Sequence, residues 1–131
     1  MSQTEKPLIL VVDDDESTRM LLEFVLRRSY QVVGKADGMA ALAWLSSGQC
    51  PDAILLDMDM PHLNGFGLMH QLRSSGWYAD IPVVMLSGHE SFWVREACLR
   101  AGADAYLLKP FNPDQLHAAM TQAIGAVPQS S

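Results

Sequence analysis

Short runs of β-favouring apolar residues alternate along this chain with longer stretches of helical periodicity. Leu8-Ile9-Leu10-Val11-Val12 opens the series without polar alternation, which predicts a strand buried on both faces. Ser17 to Arg28 has helical spacing, with Leu21, Leu22 and Val25 on one stripe. Gln31 to Lys35 reads as a second strand, and Gly38 to Ser47 as an alanine-rich helix ended by Gly48 and Pro51. Asp52 to Leu56 is a third strand running into Asp57, and Asn64 can cap a helix reaching about Ser74. Ile81 to Leu86 is a fourth strand, and Ser91 caps a helix that ends near Ala101-Gly102. Ala103 to Leu108 is a fifth strand, and the last helix begins at Asn112 or Pro113 and fades near Gly125. Residues 1–6 read as a flexible polar arm, residues 7–125 as one domain, and residues 126–131 as a tail or the start of a linker.

Five strands alternating with five helices predict an α/β fold with a parallel sheet, right-handed crossovers and helices on both faces. The expected arrangement is flavodoxin-like and doubly wound, with strand order 2-1-3-4-5 and a switch point at the carboxyl ends of the first and third strands. Composition narrows the function. At 131 residues with 49% hydrophobic and 18% charged positions, the chain can fill one core. A net charge of −6 disfavours nonspecific binding to nucleic acid or to an anionic membrane. No apolar stretch approaches a membrane span, and residues 1–7 lack a signal-peptide apolar region. Cys50 and Cys98 form no metal-type pair, and reduced thiols fit a cytoplasmic protein.

The chemistry gathers where the strands end. The first strand ends in Asp13-Asp14-Asp15, the third in Asp57 with Asp59 two residues on, the fourth in Ser87 and the fifth in Lys109. A parallel sheet brings all of these to one edge. A single aspartate there is an ordinary turn or cap residue. Two adjacent acids facing a third repel one another and raise at least one pKa, a conflict that a cation resolves. Hard oxygen donors suit Mg²⁺ (or Mn²⁺), and no Cys or His spacing supports zinc. With an ammonium and a hydroxyl nearby, the same site suits a phosphoryl group, and Asp57 could attack phosphorus to form an acyl phosphate.

At this point the chain resembles the receiver domain of two-component response regulators over about residues 7 to 125. The resemblance is carried by residues 10–16 (Leu-Val-Val-Asp-Asp-Asp-Glu), by Ala36-Asp37-Gly38 with Ala41-Leu42, and by residues 55–61 (Leu-Leu-Asp-Met-Asp-Met-Pro) with Gly65. Ser87-Gly88 and residues 101–111 (Ala-Gly-Ala-Asp-Ala-Tyr-Leu-Leu-Lys-Pro-Phe) complete it. The resemblance implies Asp57 as phosphoacceptor, and Asp13, Asp14, Asp57 and the Asp59 backbone carbonyl as the Mg²⁺ site. It implies Lys109 as the phosphoryl partner, Ser87 as the switch hydroxyl, Tyr106 as the switch aromatic, and a cis Lys109-Pro110 bond. Asp59 and His89 stand where they could tune dephosphorylation, and Gly88 replaces the more usual alanine. Implied partners are a sensor histidine kinase or histidine phosphotransfer protein and a downstream protein or attached output domain. A phosphorylation-dependent dimer is a further expectation; nucleic acid and membrane are not expected to bind this domain.

Three other readings compete. Asp57-Met58-Asp59 resembles the nucleophile motif of haloacid-dehalogenase-type phosphatases, although it follows the third strand rather than the first. A pseudo-receiver would have lost an acid or the lysine, and a flavin-binding relative would carry a Ser/Thr/Gly-rich phosphate loop after the first strand. Outside the site, His62, His70 and His117 read as surface residues, and Trp44, Trp77 and Trp93 as packing residues. Eight methionines suit gap-filling. Met20 and Phe24 lie at the edge of the first helix's core stripe. In the fourth helix, Ala97 and Ala101 are expected to face the sheet, which turns Phe92, Arg95 and Leu99 outward and makes Phe92 and Leu99 a candidate output face. Leu116, Ala119, Met120 and Ala123 form the inward face of the last helix.

Overall fold

The computed structural model describes residues 6–60 and 64–125. Among them the chain runs β1 (Leu8–Val12), α1 (Glu16–Leu26), β2 (Gln31–Lys35), α2 (Gly38–Ser46) and β3 (Ala53–Asp57). It continues through α3 (Gly65–Ser74), β4 (Val83–Ser87), α4 (Phe92–Arg100), β5 (Ala105–Leu108) and α5 (Pro113–Ile124). All strand pairs are parallel, in the order β2-β1-β3-β4-β5. This is the doubly wound, flavodoxin-like arrangement expected from the alternation of elements.

The unalternating strands are explained by burial on both sides. Ile9 and Val11 face one cluster with Leu22, Leu26, Leu55, Leu86, Leu116 and Met120, under α1 and α5. Leu10 and Val12 face the other with Leu45, Ile54, Leu56, Leu72, Met85 and Cys98, under α2, α3 and α4. Each fully buried Leu or Ile contributes about 1.5–3 kcal/mol relative to exposure.

Every helix starts from a polar cap in the loop that follows a strand. The side chains of Asp15, Asp37, Asn64 and Ser91 accept hydrogen bonds from backbone N–H groups in the first turns of α1 to α4. Asn112 and Gln115 form a reciprocal capping box on α5, with Pro113 at its start.

The elements fall where expected, with shifts at the ends. Asp15 rather than Ser17 starts α1, whose inward residues are Leu22 and Leu26, while Leu21 is half exposed. Asp104 is spent before β5: its carboxylate accepts from Val83 N at 2.8 Å and from Arg73 Nη2 at 3.2 Å. Arg73, at the end of α3, also donates to the carbonyls of Gly102, Ala79 and Ile81. It thereby ties the loops before β4 and β5 to the end of α3, at the sheet edge opposite the strand ends that carry the acids. Gly102 has φ +116°, and a Cβ there would meet Arg73 Nε at 2.7 Å.

The expected phase of α4 is wrong. Ala97 and Ala101 are exposed, whereas Cys98 is buried and Val94 packs on the core. Leu99 is half-buried against the same cluster, so of the two candidate output residues only Phe92 is exposed. Small size is a weaker guide to inward orientation than the positions of the larger apolar residues. Trp77 and Trp93 are also exposed, and only Trp44 packs against the core as expected. Met60, Met69, Met85 and Met120 are buried, but Met20 and Met39 are not. His70 is exposed, His117 half-buried, and α5 turns Leu116, Ala119 and Met120 inward as expected. Lys6, assigned to a flexible arm, is anchored: its Nζ donates to the Arg27 carbonyl and its own carbonyl accepts from Gln31. The rest of that arm, His62 and residues 126–131 lie outside the described residues.

Candidate functional site

The carboxyl ends of β1, β3, β4 and β5 bring Asp13, Asp57, Ser87 and Lys109 to one rim of the sheet. Asp13 and Ser87 are fully buried and Asp57 is 2% exposed, in a protein whose other buried side chains are almost all apolar. Lys109 Nζ lies 3.3 Å from Asp13 Oδ2 and 3.3 Å from Asp57 Oδ1, a single ammonium bridging two buried carboxylates. Asp13 Oδ1 accepts from Asp15 N at 2.9 Å, and Asp57 Oδ1 from Asp59 N at 3.2 Å.

One cation does not balance the acids. Asp13, Asp57 and the exposed Asp14 each offer a carboxylate oxygen, and these oxygens lie within 4.8 Å of one another. Burial, then the charge of Asp13, raise the Asp57 carboxyl to about 6, against the lowering pull of the Asp59 N–H and Lys109. Burial alone would lower the Lys109 pKa, but Asp13 and Asp57 outweigh it and raise it. An all-oxygen anionic donor set beside one ammonium fits a hard divalent cation such as Mg²⁺ and offers nothing to a soft one.

A second group of contacts leads outward from Ser87. Its Oγ accepts from His89 N at 3.0 Å, and the His89 carbonyl accepts from the half-buried Tyr106 hydroxyl at 2.6 Å. His89 Nε2 lies 3.2 Å from Asp59 Oδ1, so the loops after β3 and β4 are joined on the exposed side of the site. The Lys109-Pro110 bond is cis. All the site positions singled out in the sequence, Phe92 and Leu99 apart, thus fall in one connected neighbourhood.

Two contributors were not among the candidate site residues, although Gly65 was part of the motif that carried the resemblance. Arg19 Nη1 donates to the Asp13 carbonyl at 2.7 Å, which anchors α1 to the acidic rim. Gly65 presses on the site from α3: a Cβ there would lie 2.6 Å from the Asp57 carbonyl oxygen and 2.7 Å from Met58 Cα. The glycine's place eight residues after Asp57 was visible in the sequence, but its reason, a close backbone approach, required the fold.

Comparison with known proteins agrees with this geometry. The response regulator receiver domain family model matches residues 9–121. The probable transcriptional regulator ycf27 of Porphyridium aerugineum is 36% identical over 128 residues, covering 97% of this chain and 52% of that protein. Response regulator MprA of Mycobacterium avium is 44% identical over 113 residues, covering 86% of this chain and 48% of that protein. The chain therefore spans about half the length of these relatives. Among solved structures, a putative response regulator from Chloroflexus aurantiacus superposes with TM-score 0.86 at 31% identity, covering 93% of this chain and all of that one. The receiver domain of sensor histidine kinase PA1611 from Pseudomonas aeruginosa, solved with a magnesium ion coordinated in its active-site cleft, gives TM-score 0.81 at 32% identity. That match covers 92% of this chain and 99% of that one. With its parallel 2-1-3-4-5 sheet and its acids and lysine on one rim, the chain belongs to the response regulator receiver domain family of two-component signalling.

Proposed function

We propose that this domain is a phosphorylation switch in which Asp57 takes a phosphoryl group from a phosphohistidine on a sensor kinase or phosphotransfer protein. The observation that carries the reading is the Lys109 ammonium held 3.3 Å from two buried carboxylates, one of them Asp57. In the transfer, an Asp57 carboxylate oxygen forms a bond to phosphorus as the histidine N–P bond breaks, and the imidazole keeps the electron pair and takes up a proton. Lys109 pairs with the transferred oxygens, and Ser87 turns its hydroxyl toward them. Asp13, Asp14, Asp57 and the Asp59 carbonyl would hold Mg²⁺, which neutralises charge on the transferring group.

Ser87 cannot turn inward and keep its bond to His89 N unchanged, so the loop after β4 and the Tyr106 hydroxyl it holds are drawn into the response. The phosphoryl group thereby biases an equilibrium between two arrangements of one surface. Asp59 and His89 flank the approach to Asp57 and are proposed to set how fast water removes the phosphoryl group. The working unit is proposed to be residues 7–125 in the cytoplasm, acting on a partner protein or an attached output domain. No helix among the described residues is long and apolar enough to cross a membrane.

Acetyl phosphate with Mg²⁺ should add one acid-stable, base-labile phosphoryl group per chain, read by intact-mass spectrometry. Asp57→Asn should abolish it. Full labelling of that variant would place the acceptor elsewhere, and multiple turnover of small phosphate esters would favour the phosphatase reading.

A further inference from the structure

Of Asp13, Asp14 and Asp57, Asp14 alone enters no ion pair among the described residues, and it is exposed. Its neighbour Asp13 is fixed at three points: Oδ2 by Lys109, Oδ1 by the Asp15 N–H, and its own N–H by the Lys35 carbonyl at 3.1 Å. What aims Asp14 is therefore the peptide unit that joins it to Asp13. That unit is a rigid plane carrying the Asp13 carbonyl and the Asp14 N–H together.

Arg19 holds that plane. From the first turn of α1 its Nη1 donates to the Asp13 carbonyl at 2.7 Å, and its backbone N–H donates to the Asp15 carbonyl at 3.0 Å. Both neighbours of Asp14 are thus tied to one residue. A Cβ on Gly34 would lie 3.5 Å from Arg19 Cδ, so β2 backs the half-buried stem. The guanidinium makes no ion pair among the described residues. It sets a positive charge behind Asp13, Asp14 and Asp15 without taking a carboxylate oxygen from the site.

We infer that Arg19 is a positioning residue for the cation site, acting through the Asp13–Asp14 peptide and touching neither the ion nor the phosphoryl group. This role rests on the Mg²⁺ and phosphoryl chemistry proposed for the rim. Outer partners of this kind set metal affinity because they orient a ligand before the ion arrives. A single guanidinium nitrogen bonds the carbonyl, so a lysine ammonium can take its place, whereas alanine leaves the plane free to turn.

The test is an NMR titration of the ¹⁵N-labelled full chain with MgCl₂. Arg19→Ala should raise the Kd for Mg²⁺ about tenfold and lower the order parameter of the Asp14 N–H in metal-free protein. Arg19→Lys should return the Kd to within about threefold of wild type. Arg28→Ala removes the same charge from an exposed position just past α1 and should leave the Kd unchanged. If Arg19→Ala fails to fold, Arg19→Met keeps the stem over Gly34 and should show the same loss. Labelling of Asp57 by acetyl phosphate should need about tenfold more Mg²⁺ for half its maximal rate in Arg19→Ala, with the rate at saturation near wild type. A merely structural role would lower the melting temperature and move neither Mg²⁺ midpoint. A wild-type Kd in Arg19→Ala and Arg19→Met, or a lysine variant as weak as alanine, would overturn the inference and leave the phosphoacceptor reading standing. The expected Kd shifts with no label on Asp57 would sink that reading alone, and a wild type that binds no Mg²⁺ would sink both.

Discussion

Protonation of Asp57 should leave a measurable trace in stability. Its carboxyl is raised to about 6 in the fold, first by burial and then by Asp13, from an ordinary value of 3.8. An acid whose folded pKa is raised is penalised when charged. The penalty is full above the folded pKa and is relieved as pH falls through it toward the unfolded value. A shift of about two units corresponds to about 3 kcal/mol above pH 7. At pH 5 the folded carboxyl is mostly protonated while the unfolded one is still mostly charged, and about half of the penalty remains. Lowering pH from 7.5 to 5 without divalent metal should therefore return about 1.4 kcal/mol through this group, or about 5 °C of melting temperature for a chain of this size. The raised Lys109 does not interfere, because its contribution is fully present below the ordinary lysine pKa of 10.5 and is lost only as pH rises from there through the raised value. The measurement is urea unfolding of wild type and Asp57→Asn at both pH values with EDTA present. The amide of the variant cannot titrate, so its stability advantage over wild type should shrink by about 1.4 kcal/mol at the lower pH. An advantage of the same size at both values would mean that Asp57 is not the strained acid of the rim.

Millimolar Mg²⁺ should stabilise wild type by mass action, by about 2.7 kcal/mol when it exceeds Kd a hundredfold, read as a higher melting temperature, and most of that gain should vanish in Asp14→Ala. Gly65→Ala should destabilise by about 1–3 kcal/mol and slow phosphorylation of Asp57 by acetyl phosphate, because the new methyl must displace the Asp57–Met58 backbone. Arg73→Ala should lower stability by about 2–3 kcal/mol in urea unfolding, since it strips hydrogen bonds from the carbonyls of Gly102, Ala79 and Ile81. The labelling rate should stay near wild type in that variant, as the clasp lies at the opposite edge of the sheet.

The strands and the acids were legible because each is a local signal. Apolar runs ending in Asp13-Asp14 (Leu8 to Val12) or in Asp57 (Ala53 to Leu56) announce both a buried strand and its polar end. What was not legible depended on which neighbour wins a residue. Asp104 looked like part of a strand until the Val83 N–H and Arg73 claimed its carboxylate. The face of α4 was misjudged because Ala97 and Ala101 fit a core stripe as readily as Val94 and Cys98, and only the packing of β4 and β5 beneath them decides. The bridge from Asp59 to His89 spans thirty positions and two loops, so no spacing rule marks it.

The sheet that carries the acids is also a wall. Its central strands are enclosed throughout, Leu8 at the start of β1 apart, and the side chains above and below them belong to two separate clusters. A change of volume under α1 and α5 is felt by its own chamber and reaches the other only by moving a hydrogen-bonded strand. Sequence drift can therefore repack one chamber while the other keeps its shape. Because the acids sit on the brim of the wall rather than in either chamber, relatives with quite different interiors can keep the same rim.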